Sequence, residues 1–87
     1  MHVFVSGRVH GVGFRDGVRT RATQLQLVGW VRNLPDNRVE ALFMGKKISL
    51  DQMLEWCYSG PRMAKVTNVE YEWQQGELLP DEFQIKL

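Results

Sequence analysis

The 87-residue sequence predicts an α+β sandwich of βαββαβ order, an antiparallel sheet with two helices on one face. Three observations lead there. Apolar residues alternate over the segments 2–9, 28–34, 38–45 and 69–73, as in strands buried on one side. Between the first and second of these, and between the third and fourth, apolar residues recur at spacings of three and four, as on a helix. Gly, Pro and Asn punctuate the joints. Residues 1–87 read as a single domain, because a domain typically takes roughly 100–150 residues and leaves no room for a second.

Taken in order, His2–Val9 is the first strand, with Val3, Val5, Gly7 and Val9 on one face and His2, Phe4, Ser6 and Arg8 on the other. His10-Gly11-Val12-Gly13 separates it from a helix predicted to run from Phe14 to about Leu27, on the stripe Phe14, Val18, Ala22 and Leu25. Gly17 inside that helix costs about 1 kcal/mol relative to Ala, so packing has to hold it. Residues 28–34 form the second strand. Leu34-Pro35-Asp36-Asn37 is a turn, in which Pro sets φ and Asn tolerates a left-handed backbone. The return strand is 38–45, with Val39, Ala41 and Phe43 on one face.

Ser49-Leu50-Asp51-Gln52 has the S-x-x-Q form of a capping box and predicts the start of the second helix, whose stripe is Leu50, Met53, Leu54 and Cys57. Gly60-Pro61 ends it. Val69, Tyr71 and Trp73 alternate in a fourth strand, and Phe83, Ile85 and Leu87 in a short last one. Strand faces without apolar residues are expected to meet water.

Composition narrows the function. Hydrophobic residues make up 44% of the chain, which argues against disorder. The net charge of +1 hides an asymmetry. Residues 1–38 carry six Arg against two acids, a balance of +4, whereas residues 39–87 carry five basic and eight acidic groups, a balance of −3. Such a bias suggests either an anionic partner or a solvated polar surface with uneven sampling. A lone Cys57 excludes an intrachain disulfide and no Cys/His spacing suggests a metal. There is no leader-like start and no apolar run of the roughly 18–20 residues that span a bilayer, so a cytoplasmic protein with no membrane partner is expected.

The joint from Gly7 to Arg15 is the candidate site. N–H groups at a helix N-terminus lack partners and sit at the positive end of the helix dipole. Gly11 and Gly13 allow backbone turns that gather N–H groups into a concavity for an anion, and the Arg15 guanidinium matches phosphate oxygens. A tight strand-to-helix turn is the plainer alternative for two glycines. Asn33 shares a strand face with Gly29 and Val31; it either ties a loop or positions a reactant.

Two longer motifs resemble the acylphosphatases. Gly7-Arg8-Val9-His10-Gly11-Val12-Gly13-Phe14-Arg15 is similar to that family's G-R-V-Q-G-V-x-F-R loop. Gly29-Trp30-Val31-Arg32-Asn33, with Asp36 and Val39-Glu40, is similar to its G-W-V-x-N-x-x-D-G-x-V-E motif, and Gly60-Pro61 with Ala64 and Val66 matches the segment after its second helix. The resemblance spans essentially the whole chain. It implies a ferredoxin-like sandwich and a monomeric hydrolase that splits the carboxyl–phosphate anhydride of a small-molecule acyl phosphate by direct attack of water. It implies no metal, no cofactor and no covalent intermediate. It places Val9, His10, Gly11, Val12, Gly13, Phe14 and Arg15 in a phosphate-binding loop, Arg15 on the phosphoryl group, and Asn33 on the attacking water. The sequence departs from the family at His10, where Gln is usual, and at Asn37, where Gly is usual. The His10 side chain is expected to point away from the anion.

A non-catalytic module binding phosphate or RNA on the same fold is the alternative, motivated by the Arg-rich first half. The aromatic motif of sheet-face RNA binders is missing, so no nucleic-acid partner is expected. Trp30, Trp56 and Trp73 are assigned to packing, Cys57 to the core as an inert thiol, and Met44, Met53 and Met63 to core filler or surface.

Overall fold

The computed structural model describes residues 1–75 and 80–86. Its elements, in chain order, are β1 (His2–Arg8), α1 (Phe14–Gln24), β2 (Val28–Asn33), β3 (Val39–Met44), α2 (Lys47–Ser59), β4 (Lys65–Glu72) and β5 (Phe83–Ile85). They form a sheet of order β4-β1-β3-β2-β5. β1 pairs antiparallel with β3 and β4, and β2 antiparallel with β3, as expected of a βαββαβ sandwich. The last strand differs: β5 runs parallel to β2, aligning Gly29 with Phe83 and Val31 with Ile85. The cause is topological. β4 ends opposite His2, at the start of β1, while β5 lies on the far edge beyond β2. A chain that crosses at that end must run back up the sheet, in the direction of β1 and β2. Leu87, expected to prolong this strand, lies outside the described residues.

The core lies between the sheet and the helices. Val3 and Val5 of β1, Val31 of β2, and Val39, Ala41 and Phe43 of β3 meet Phe14, Val18 and Ala22 of α1 and Leu50, Met53 and Cys57 of α2. Phe83 stacks on Phe43 at 5.3 Å between ring centroids, which ties β5 into the core. A Cβ at Gly17 would stand 2.8 Å from the Trp56 ring, so the glycine lets the two helices approach. Burial raises the Cys57 thiol to about 12, which leaves it protonated and inert as expected.

Three elements depart from the sequence expectation at their ends. α1 stops at Gln24, not near Leu27. Gln26 takes φ 60°, its N–H donates to the Thr23 carbonyl, and the Leu27 N–H donates to the Ala22 carbonyl at 2.9 Å. These are the two bonds of a Schellman ending, closed here by Gln where glycine is the usual signal. α2 starts at Lys47, so Ser49 lies within the helix and the capping box does not form. The Leu50 N–H already donates to the Lys46 carbonyl, and Lys47 pairs with Asp51 at 2.7 Å one turn on. β4 begins earlier than expected, at Lys65, with a register shift at Ser6/Gly7, and ends before Trp73.

Trp73 is 48% exposed, which overturns its assignment to packing. Trp56 packs on Phe14 at 5.5 Å, and Trp30 is half-buried. Met53 is core, whereas Met44 and Met63 are exposed.

The outer face of the sheet is not simply wetted either. Glu40, the second residue of the central strand β3, is 7% exposed, and Leu42 is buried on the same face. Glu40 accepts from Arg32 Nε at 2.6 Å, and its other oxygen lies 2.7 Å from His2 Nε2. Burial raises its carboxyl pKa, but the bonds from His2 and Arg32 outweigh burial and hold it below the usual carboxylate range. A carboxyl with a depressed folded pKa stabilises the fold above its unfolded pKa, and that stability is lost as pH falls through the folded value. Arg32 is 42% exposed, which screens its share. Glu40→Gln is therefore expected to cost about 1 kcal/mol at pH 7, measured by urea unfolding, and to converge with wild type as pH falls below the lowered folded pKa of Glu40. Parallel pH curves for the two proteins would disprove this.

Candidate functional site

The loop between β1 and α1 has the backbone that an anion site requires. Gly11 and Gly13 adopt φ 70° and 78° around a Val12 of ordinary negative φ, so successive N–H groups turn inward. A Cβ at either glycine would meet nothing within 4 Å; the backbone conformation, not crowding, calls for glycine. Gly13 is the N-cap of α1 and contributes no side-chain cap. The first helical bond runs from the Gly17 N–H to the Gly13 carbonyl. The N–H groups of residues 11–15 therefore meet no acceptor among the described residues.

Buried side chains anchor both ends of the loop: Val9, and Phe14 in the first turn of α1. Arg15 follows Phe14, is half-buried, and makes no ion pair or hydrogen bond among the described residues. Four of the six arginines before residue 39 are otherwise engaged. Arg19 reaches Asp16, Arg21 reaches Gln24, Arg32 reaches Glu40, and Arg38 reaches Asp36. The sequence asymmetry thus leaves Arg8 and Arg15 uncommitted, and Arg15 alone of the two stands in the loop. A cleft of about 340 Å³ opens here, lined by Val9, Gly11, Gly13, Phe14, Arg15, Asp16 and Ile85.

Asn33 closes β2 opposite Val39. Its Oδ1 is buried and has no hydrogen-bond partner among the described residues. The alternative in which Asn33 ties a loop through this oxygen is therefore not what the structure holds. An unmet buried acceptor costs about 1–3 kcal/mol, and such atoms gather where a ligand or water is expected.

One carbonyl brings the loop and Asn33 to the same end of the sheet. Arg38 O accepts from the Leu34 N–H at 2.8 Å and also lies 2.8 Å from His10 Nε2. Leu34 follows Asn33 directly, and His10 belongs to the loop. A carbonyl only accepts, so His10 carries its proton on Nε2. His10 is spent on the β2–β3 hairpin and is not among the residues that line the cleft. Asn37 takes φ 72° at that hairpin, the left-handed corner expected where glycine is usual. The ends of β1, β2 and β5 and the start of β3 thus converge beside the N-terminus of α1.

Over residues 1–85 the chain matches the family model Acylphosphatase. The chain belongs to the acylphosphatase family. It is 53% identical over 74 residues to an acylphosphatase of Chloroflexus aurantiacus, covering 85% of this chain and 80% of the relative. A solved acylphosphatase from Coxiella burnetii superposes with a TM-score of 0.93 at 42% identity, covering 98% of this chain and 88% of that one. One from Bacillus subtilis gives 0.92 at 37% identity, covering 99% and 96%. The parallel β5 and the two helices on one face are thus an acylphosphatase architecture.

Sequence reasoning missed Asp16 and Ile85 as lining of the cleft. Asp16 sits one residue beyond Arg15 and pairs with Arg19 at 3.4 Å, which offsets its charge beside an anion. Ile85 arrives only through the parallel pairing of β5, and nothing local to residues 83–85 signals it. Among the described residues no three His, Cys, Asp or Glu side chains converge as a metal site needs, and no helix is long and apolar enough to cross a membrane.

Proposed function

We propose that the cleft hydrolyses small-molecule acyl phosphates, with Arg15 and the loop N–H groups on the phosphoryl group and Asn33 on the attacking water. The observation that carries this is the buried Asn33 Oδ1, without a partner among the described residues, at the sheet end that also presents loop N–H donors and an Arg15 that none of those residues engages. A water donating to that oxygen would answer the unmet acceptor and be held toward the phosphoryl group.

Phosphoryl transfer asks a protein mainly for positioning and charge. Charge spreads over the three equatorial oxygens in the transition state, where Arg15 offers a planar fork and the loop offers N–H groups that need no reorganisation. The water oxygen bonds to phosphorus as the bond between phosphorus and the acyl oxygen breaks. The carboxylate leaves with the electron pair, and the water's proton passes to the phosphate product or to solvent. A carboxylate is a good leaving group, so no acid side chain has to protonate it. Val9, Gly11, Val12, Gly13 and Phe14 shape the cradle, and residues 1–87 act as one domain, a cytoplasmic monomer that needs no cofactor. The buried, unpaired Cys57 fits a reducing compartment.

The test is absorbance-monitored hydrolysis of benzoyl phosphate by the purified protein, with inorganic phosphate as a competitive inhibitor. Hydrolysis no faster than in buffer would refute the proposal. The RNA-binding alternative gains nothing from the outer face of the sheet. The Trp30 ring already carries Arg32 at 5.2 Å and the Lys86 ammonium at 4.5 Å, which a stacking base would have to displace.

A further inference from the structure

We infer that His10 is a positioning residue for the reaction: through the Arg38 carbonyl it sets the distance between the phosphate loop and Asn33. The inference rests on the function proposed above and adds a residue to it.

The argument begins with what the loop withholds. Its N–H groups from residue 11 to 15 meet no acceptor among the described residues, and the hairpin offers them none, so the loop does not fasten itself to the hairpin through its own backbone donors. Val9 and Phe14 hold its two ends by burial in the core. Between them, His10 supplies the hydrogen bond from the loop to the β2–β3 hairpin, at 2.8 Å. Asn33 has the converse property. Its Oδ1 meets no donor among the described residues, so its place relative to a bound phosphoryl group depends on the backbone of β2 and the hairpin. Arg38 O is where the two requirements meet, because the Leu34 N–H, the next donor after Asn33, shares that acceptor with His10. Loss of the His10 bond frees the loop to shift against Asn33 while leaving the loop's own curvature intact. In-line attack is sensitive to such a shift, since misplacement of about 1 Å can cost as much as 10²-fold in rate.

Reach decides which side chains can replace His10. Nε2 of His and Nε2 of Gln both stand four bonds from Cα and both can donate to a carbonyl; Nδ2 of Asn stands one bond nearer and falls short. The experiment compares His10→Ala, His10→Asn and His10→Gln with wild type on benzoyl phosphate. The readouts are kcat, the competitive inhibition constant of inorganic phosphate, and the urea midpoint of each protein. For Ala and Asn we expect kcat to fall roughly 10- to 100-fold, with phosphate inhibition within about threefold of wild type. Gln is expected to recover kcat to within about threefold. In wild type, 15N shifts of the neutral ring should place the proton on Nε2, a result that does not depend on activity.

Unchanged kcat in all three variants overturns the inference. So does a parallel loss of kcat and phosphate binding, which would mean that His10 only keeps the loop folded, and so does failure of Gln to recover kcat. A neutral ring carrying its proton on Nδ1 also overturns it. An inactive wild type would instead sink the function proposed above and take this role with it. Variants matching an active wild type would sink the role alone.

Discussion

Arg15→Ala is expected to lower kcat/KM for benzoyl phosphate by at least about 10³-fold, and to weaken inhibition by inorganic phosphate as well, because one guanidinium serves both ground and transition states. The fold should not notice the change. Arg15 makes no ion pair or hydrogen bond among the described residues, so the urea midpoint is expected to stay where it is. Arg15→Lys should recover little of the rate, since an ammonium keeps the charge but loses the planar fork that takes two oxygens at once. Arg21→Ala is the control, because Arg21 reaches Gln24 in the last turn of α1 and does not line the cleft, and it should change the rate by no more than about twofold. If Arg15→Ala stays within tenfold of wild type while phosphate still inhibits, the site is elsewhere.

The contrast between these arginines bears on what charge counting can and cannot reveal. A +4 balance over residues 1–38 points to an anion, yet most of that charge is consumed within the protein. Arg32 holds Glu40, and Arg38 folds back on Asp36, whose carboxyl is kept below the usual range first by the Arg38 backbone N–H. Sequence shows how many charges there are; only three dimensions show which are unspent.

The fold was legible wherever the signal was local. Alternation over His2–Arg8 and Val39–Met44 marks strands because one face of each packs on helices, and Gly11, Gly13 and Arg15 mark the loop because its backbone needs residues without a side chain. The signal failed where distant parts of the chain decide. Ser49-x-x-Gln52 reads as a cap, but α2 is capped at Lys46 and starts at Lys47, three residues earlier than that cap implies, with Leu50, Met53 and Cys57 on its buried face. α1 ends at a left-handed Gln26, which carries none of the glycine bias that usually marks such a stop. Glu40 reads as solvent-facing because an alternating strand is assumed to have one wet face; His2 and Arg32 from the neighbouring strands engage it there. The direction of β5, and with it Ile85 in the cleft, follows from which edge a crossover reaches. In the site itself the pair Arg15 and Asn33 was visible as residue types in motifs. The bond from His10 to Arg38 spans 28 positions, and nothing in either segment announces it.

Asn33→Ala is expected to separate activity from stability. The rate constant should fall by about 10²-fold, since the attacking water loses the acceptor that aligns it, while inorganic phosphate should inhibit nearly as before because Arg15 and the loop are untouched. Stability should move the other way. Asn33 Oδ1 is buried at the end of β2 without a donor among the described residues, a burden of about 1–3 kcal/mol when no water relieves it. Removing the group lifts that burden, so the urea unfolding free energy of Asn33→Ala should equal or exceed that of wild type by up to about 1 kcal/mol. Asn33→Val should go further, because a β-branched side chain suits the strand and the face it shares with Val31. Asn33→Asp is the complementary case: a carboxylate here still accepts from water but repels the phosphoryl dianion, so phosphate inhibition should fall together with the rate. Two results would contradict this account. A destabilised Asn33→Ala protein would show that the side chain is a structural tie after all. A stable one that keeps wild-type kcat would show that the water is aligned by something other than Asn33.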